Sequence, residues 1–166
     1  MTLVFLLEER SMQAFLAGFL PRILPPGVEF KLIPHEGKQD LDRSIPRKLR
    51  AWRDPSARFI IVRDQDSDDC RRLKARLIDL CVHAGRPETL IRIACRELEA
   101  WYLAELAALD AAYGTCVVHR QEQRKFRSPD NSGSPVVELR RLVPDFSKVD
   151  GARRLGLLLD PSNTRS

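Results

Sequence analysis

The sequence predicts an α/β domain with a central, mostly parallel sheet of four or five strands and helices on both faces. Apolar runs alternate with amphipathic segments in the order β-α-β-α-β-α-β-α, as in parallel sheets joined by crossover helices. The runs are continuously apolar, which is typical of strands covered on both faces. The 166 residues make one domain, which we expect to comprise residues 1–160, with a core at 3–112, a helical part at 113–160 and a tail at 161–166.

The first β-α-β unit is predicted from local pattern. Residues 3–7 form an apolar run, and residues 11–20 carry apolar side chains at helical spacing as far as Pro21. A Pro-Pro-Gly turn at 25–27 then leads into a second strand at 28–33.

The next unit follows the same pattern. A stripe of apolar residues predicts a helix at 40–52, and residues 58–63 are a third apolar strand. A third helix is expected at 69–83, with Ser67 or Asp68 as its N-cap.

The remaining elements complete the sheet and add a helical part. Residues 90–94 are predicted as the fourth strand, and residues 97–112 as one continuous helix. Further along, the pattern predicts a short strand at 117–118, a polar surface loop at 119–134, and helices at 136–142 and 149–159.

Composition limits the class of protein. The chain is 43% apolar and 31% charged, as in globular proteins, and no apolar run approaches the roughly 20 residues of a membrane span. The apolar start lacks the basic lead-in of a signal peptide, and the four cysteines include no Cys-x-x-Cys pair. We therefore expect a cytoplasmic protein with reduced thiols and no membrane partner. The net charge of +5 is compatible with a nucleic-acid partner and equally with a solvated basic surface.

Acidic residues follow the predicted first and third strands. The third strand ends in Asp64-Gln65-Asp66, and period-two alternation predicts both carboxylates on the same side of the chain. Glu8 follows the first strand, which can lie beside the third in a doubly wound sheet. Clustered carboxylates repel each other unless a cation lies between them, and their oxygens suit Mg²⁺ or Mn²⁺. The alternative for Asp64 and Asp66 is a turn with a helix N-cap.

The order strand-Glu-helix, then strand-Asp-x-Asp-helix, resembles the Toprim domain of topoisomerases, primases and overcoming-lysogenization-defect (OLD) nucleases. In that fold the Glu acts in acid–base chemistry and the Asp-x-Asp motif holds a divalent metal. The resemblance implies that Glu8 is catalytic and a metal ligand, and that Asp64 and Asp66 bind Mg²⁺ or Mn²⁺.

A narrower resemblance rests on residues 35–41, 62–70 and 91–104, which include Asp-Gln-Asp-Ser and Glu-Ala-Trp-Tyr-Leu-Ala. These segments resemble a bacterial Toprim-like family of unknown function, whose members often occur beside ABC-type ATPases in suspected phage-defence operons. Glu99 matches that family's Glu-x-Trp and is the candidate fourth metal ligand, with Glu97 ranked second. The resemblance implies a metal-dependent nuclease acting on DNA or RNA, with an ABC-type ATPase as partner.

Basic residues suggest where a substrate could bind. Lys38, in the loop after the second strand, could reach a phosphate group, and Arg124 and Lys125 could follow a nucleic-acid backbone. All three could instead be solvated. Arg63, next to the acidic motif, is expected to pair with Asp64.

Two other functions stay open. The Toprim opening Glu-Gly-x-Thr-Glu is altered here, because Glu9 replaces the glycine and Met12 replaces the second acid. The chain could therefore be a catalytically weak interaction module that partners an ABC-type ATPase. It could also be a receiver-like domain that carries phosphate on Asp64, although the lysine and hydroxyl residues of such domains are not evident.

Overall fold

A computed structural model describes residues 1–131 and 133–166. Ser132, which belongs to the segment predicted as a surface loop, lies outside the described residues. Four parallel strands form one sheet in the order β2-β1-β3-β4. They are β1 (Thr2–Leu7), β2 (Glu29–Pro34), β3 (Arg58–Asp64) and β4 (Leu90–Ala94).

The pairing of β1 with β3 confirms that the first and third strands are neighbours. Leu3 lies opposite Arg58, and Leu7 lies opposite Val62. The pairing continues one residue further, since the backbone N–H of Glu8 donates to the carbonyl of Val62 over 3.2 Å. The first residue after β1 is thereby fixed beside the end of β3.

Helices cover both faces of the sheet. Those before β4 are α1 (Arg10–Phe19), α2 (Lys38–Ala51) and α3 (Cys70–His83). Those after it are α4 (Glu99–Leu103), α5 (Leu106–Tyr113), α6 (Arg124–Arg127), α7 (Pro135–Leu142) and α8 (Lys148–Leu158). In the described part of the chain, no helix is long and apolar enough to cross a membrane.

Alternation along the strands divides the apolar core into two clusters. On one face, which we call the α1 face, Leu7 and Val62 pack with Phe15 of α1 and Leu155 of α8. Helices α4 to α7 also contribute buried side chains to this cluster. On the other face, the α2 face, Leu6 and the rest of the second cluster pack against α2 and α3.

The segment predicted as one helix at 97–112 forms two helices. The break falls at Ala104 and Glu105, where backbone groups bond to side chains distant in sequence. The N–H of Leu106 donates to Oε1 of Gln121 over 2.6 Å, and Nδ2 of Asn163 donates to the carbonyl of Ala104 over 3.1 Å. These contacts replace bonds of a continuous helix, so helical periodicity alone could not locate the break.

The predictions for residues 117–134 are also wrong in part. No strand forms at 117–118; instead, residues 118–120 form a short 3₁₀ helix. Within the predicted surface loop, α6 inserts Phe126 fully into the core on the α1 face. The side chain of Gln121 supports this turn by donating to the carbonyls of Leu103 and Phe126.

The N-cap of α3 is Asp69, and not Ser67 or Asp68 as predicted. Its Oδ1 accepts the backbone N–H of Arg72 over 2.8 Å. A side-chain oxygen bonded to the N3 amide is the usual geometry of an N-cap. Asp68 is therefore free to contact another group.

Gly156 lets α8 approach α1 closely. A β-carbon at this position would collide with the backbone carbonyl oxygen of Phe15, and a β-carbon at Gly18 would lie 3.1 Å from the carbonyl carbon of Gly156. Since backbone atoms form the contact, no change of rotamer can relieve it.

We expect Gly156→Ala to lower the free energy of unfolding by roughly 1–3 kcal/mol, the usual cost of overpacking, despite the better helix propensity of alanine. Urea denaturation followed by circular dichroism measures the change. Gly133→Ala is the matched control, because a β-carbon there meets no atom within 4 Å. Equal stability of the two variants would contradict close packing of α8 on α1.

Candidate active site

The carboxyl edge of the sheet brings Glu8, Asp64 and the start of α4 together. Oε2 of Glu8 accepts the backbone N–H of Asp64 over 3.1 Å, and Oδ1 of Asp64 accepts the N–H of Leu98 over 2.8 Å. Each carboxylate thus keeps one backbone donor from a different segment. Three segments distant in sequence are tied together through acidic side chains.

Asp64 is buried among other acids. It is 4% exposed, and burial, followed by the negative charges of Glu99 and Glu8, raises its pKa to about 9. At neutral pH and without a bound cation, the Asp64 carboxyl therefore holds a proton. This is the electrostatic signature expected of acids crowded at one site.

Glu99 is fully buried, and neither of its carboxylate oxygens has a hydrogen-bond partner. Burial is the main cause that raises the pKa of Glu99, while the positive charge of Lys148 opposes the shift. Nζ of Lys148 lies 3.5 Å from Oε1 of Glu99. Buried carboxylate oxygens without a donor are rare and costly in native proteins.

Lys148 is the member of the site that sequence reasoning missed. It is the first residue of α8, and its Nζ also lies 3.2 Å from Oε1 of Glu9. Burial alone would lower the pKa of the Lys148 ammonium, but Glu99 and Glu9 outweigh burial and raise it. The sequence around Lys148 carries no motif; the lysine reaches the edge because α8 packs on α1.

The extended backbone on which the period-two prediction for Asp64 and Asp66 rests does not reach Asp66. β3 ends at Asp64, and Asp66 adopts a positive φ of 54°. Its N–H donates to the carbonyl of Arg96 over 2.7 Å, and its Oδ2 lies 3.1 Å from Nζ of Lys38. Asp66 still contributes to the cluster, because its charge adds to burial, the main cause, in raising the pKa of Glu8.

Arg63 does not pair with Asp64, because neighbouring residues of a strand point to opposite faces. The Arg63 side chain is 1% exposed and lies on the α2 face. Its Nη1 donates to both oxygens of Asp42, at 3.0 and 3.2 Å. Its Nε lies 3.7 Å from Oε2 of Glu8, and its Nη2 lies 3.5 Å from Oδ2 of Asp68.

Glu97 and Met12 have structural roles. Oε2 of Glu97 accepts the N–H of Val136 over 2.9 Å at the start of α7, so Glu97 supports that helix. Met12 is completely buried in the core of the α1 face. The position where the Toprim opening has its second acid is therefore apolar here.

The candidate substrate residues do not form one surface. Lys38 begins α2 and contacts Asp66 at the edge of the sheet. Arg124 and Lys125 belong to α6, which packs on the α1 face through Phe126. Lys125 is already paired, with its Nζ 2.7 Å from Oε2 of Glu138.

The donor types at the site fit a hard divalent cation, since all candidate ligands are carboxylates and both Glu99 oxygens lack partners. Their placement is less favourable. Within residues 1–131 and 133–166, no three histidine, cysteine, aspartate or glutamate side chains are grouped so that they could hold one metal ion. A bound ion would have to draw the acids closer than they are here.

We expect the metal-free protein to lose stability as the pH rises from about 4 to 9. The folded state keeps the Asp64 proton up to a pKa of about 9, whereas the unfolded chain releases it near 3.8. The folded state therefore binds more protons in this window, and stability falls with pH. Asp64→Asn retains an acceptor for Leu98 and removes the titration, so its urea midpoint in EDTA should vary less between pH 5 and 9.

Asp79→Asn, an exposed change on α3, is the matched control and should follow the wild type. If Asp64→Asn and the wild type lost stability equally over this window, Asp64 would not be the titrating group.

Comparison with solved structures supports the fold. The chain is similar to the C-terminal region of the Burkholderia pseudomallei OLD protein, with a TM-score of 0.51 and 14% sequence identity. The likeness covers 97% of this chain and 92% of that one. It confirms the predicted α/β, Toprim-like fold and the relationship to OLD proteins at the level of fold.

Comparison of sequences identifies the family. No curated protein matches the chain. A family profile matches residues 7–166, which include all four strand ends and all eight helices of the described fold. The chain belongs to the DUF4276 family, described as a domain of unknown function.

Proposed function

We propose that this protein is a divalent-metal-dependent nuclease, with Glu8, Asp64, Asp66 and Glu99 as the carboxylates of its site. One observation carries the proposal: Glu99 is fully buried with both oxygens unpartnered, close enough to Asp64 to raise its pKa. The ammonium of Lys148, 3.5 Å away, compensates the charge of Glu99, but a buried carboxylate that accepts no hydrogen bond still costs stability. Glu99 and Glu8 both act on Asp64 at the carboxyl edge of a parallel sheet, which is where open α/β sheets bind their ligands.

A hard divalent cation is the ligand that this charge favours. Mg²⁺ and Mn²⁺ prefer carboxylate oxygens. Lys38 and Lys148 now contact three acids of the edge, namely Asp66, Glu9 and Glu99. Binding of an ion would require Asp66 and Glu99 to exchange these ammonium groups for the metal.

Glu8 is suited to move a proton. Burial raises the pKa of Glu8 above the usual value of a glutamate, which makes its carboxylate a stronger base. The backbone N–H of Asp64 holds Oε2 of Glu8 in place, so the carboxylate is oriented before substrate arrives. When bound, Mg²⁺ or Mn²⁺ would neutralise charge on the phosphate and make water a better nucleophile. Glu8 would take the proton from the attacking water.

The basic residues have more limited roles in this proposal. Lys38 lies at the edge beside Asp66 and would contact a phosphate group once the acid binds metal. Arg124 and Lys125 would contribute to nucleic-acid binding only from the α1 face. A role as a phage-defence effector with an ABC-type ATPase remains a proposal that rests on family resemblance.

A catalytically weak interaction module is the second candidate. Buried Met12 replaces an acid of the Toprim opening, and the described residues contain no ready three-ligand metal cluster. Both observations favour a site with reduced metal binding. The receiver-like alternative is disfavoured, because Asp64 is almost inaccessible and its Oδ1 is bonded to Leu98.

We expect Mn²⁺ or Mg²⁺ to support cleavage of plasmid DNA or RNA, and Glu8→Gln and Asp66→Asn each to abolish it. Phosphodiester hydrolysis depends on charge neutralisation and an activated water, so loss of either acid removes part of that apparatus. Gel electrophoresis of products measures cleavage, and Asp79→Asn is the control for purity and folding. Metal-dependent cleavage that survives loss of both Glu8 and Asp66 would exclude this site.

We expect Lys148→Gln to lower the melting temperature in EDTA, because Glu99 loses the cation 3.5 Å from its Oε1, and Mn²⁺ to stabilise this variant more than the wild type. Because the Lys148 side chain is 33% exposed, the pair should contribute less than the roughly 3–5 kcal/mol of a fully buried one. Differential scanning fluorimetry over a Mn²⁺ series measures both effects. Lys74→Gln, an exposed change on α3, is the control. If Mn²⁺ raised the melting temperature of the wild type and of Lys148→Gln equally, the ion and Lys148 would not compete for the same carboxylates.

A further inference from the structure

A polar cleft opens on the α2 face, at the end of the sheet that carries the acids. It lies between the first turns of α2 and α3 and has a volume of ≈ 560 Å³. It is lined by Lys38, Gln39, Asp42, Arg63, Ser67, Asp68, Asp69, Arg72, Leu73 and Arg76. This volume falls in the range of roughly 300–1,000 Å³ that holds small ligands, and is sufficient for a nucleotide.

The acids of the cleft are already engaged by protein groups. Asp42 lies between two guanidinium groups, with Nη1 of Arg63 at 3.0 Å and Nη2 of Arg76 at 3.1 Å. Asp68 contacts Arg63, and Asp69 caps α3. The negative charges of the cleft are therefore largely neutralised from within.

Its cations are less completely engaged. The guanidinium of Arg72 has no acidic partner among the residues that the structure describes, and the side chain of Arg76 is 54% exposed despite its contact with Asp42. Arg72 and Arg76 are one helical turn apart, so both lie along the same wall of the cleft. A wall with two adjacent arginines fits consecutive phosphate groups of a nucleic-acid strand.

We propose that the cleft between α2 and α3 binds the backbone of single-stranded nucleic acid next to the scissile phosphate, through Arg72 and Arg76. This inference rests on the proposed nuclease function and assigns its substrate path. The cleft is continuous with the acidic site: Lys38 lines it and contacts Asp66, and the buried Arg63 that forms its floor lies 3.7 Å from Glu8. A strand held on α3 would therefore pass beside Lys38, next to the acidic site.

The alternative path over α6 lies on the other face of the sheet. Lys125 there is paired with Glu138, which also contacts Arg141. The cleft on the α2 face is connected to Glu8 through Arg63, whereas α6 packs through Phe126 into the core on the α1 face.

The test measures binding separately from cleavage. Fluorescence anisotropy in EDTA would follow a labelled single-stranded DNA, the same sequence as RNA, and the duplex DNA, over a series of salt concentrations. For Arg72→Ala/Arg76→Ala we expect a loss of affinity of about tenfold or more at low salt. We also expect the slope of log K against log salt to fall by about 1.4, since each phosphate contact of a single strand contributes about 0.7.

The control removes the same charge from the same helix. Arg71→Ala/Lys74→Ala changes two exposed cations of α3 that do not line the cleft, and its salt slope should remain near that of the wild type. Arg72→Lys/Arg76→Lys preserves the charge and should retain most of the affinity, which separates phosphate binding from a structural role. Equal losses of affinity in the double lysine variant and the double alanine variant would overturn the proposal.

Other results also decide between the two proposals. The proposal for the cleft would be overturned by any of three results. These are binding that depends on Arg124 and Lys125 instead, a preference for the duplex, and no binding by the wild type. Binding through Arg72 and Arg76 without any metal-dependent cleavage would support the cleft as the binding site and exclude the nuclease function. If cleavage requires Glu8 but the Arg72→Ala/Arg76→Ala variant binds normally, the nuclease function would be supported and the cleft would be excluded as the binding site.

Discussion

The parallel pairing of β1 with β3 is the constraint on which the site depends. It places Leu7 opposite Val62 and lets Glu8 extend the ladder by one backbone hydrogen bond. The Glu8 carboxylate then meets the N–H of Asp64, so two acids far apart in sequence share one edge. Without this pairing the acids would belong to separate loops, and their charges would be solvated independently. The apolar strands therefore provide the rigid frame that holds repelling groups together.

Alternation of side chains then separates the charges around Asp64 into two systems. On the α1 face, Asp64 lies with Glu99 and the ammonium of Lys148. On the α2 face, the buried guanidinium of Arg63 connects Glu8 to Asp42. Glu8 belongs to both systems, since it bonds to the backbone of Asp64 and lies near Arg63. A ligand that changes the charge on either face would therefore change the electrostatic potential at Glu8.

Sequence pattern predicted the elements whose formation depends on local periodicity. All four strands, α1 to α3 and both late helices were found within a few residues of their expected positions, because each buries a regular apolar stripe. The break at Ala104 was missed because it depends on Gln121 and Asn163, which are distant in sequence. Lys148 was missed for the same reason, since only the close packing at Gly156 fixes where α8 begins relative to the acids.

The lysines around the acids affect both the stability of the metal-free fold and its affinity for a metal ion. Lys148 and Lys38 supply positive charge to carboxylates that would otherwise be crowded without compensation. These contacts lower the electrostatic cost of folding without a bound metal. Under the proposed function, an entering ion would gain carboxylate ligands and would displace the ammonium groups toward solvent or an approaching phosphate. Its net affinity would be the difference between these two contributions, so the proposal implies weak metal binding without substrate and tighter binding with a phosphate present.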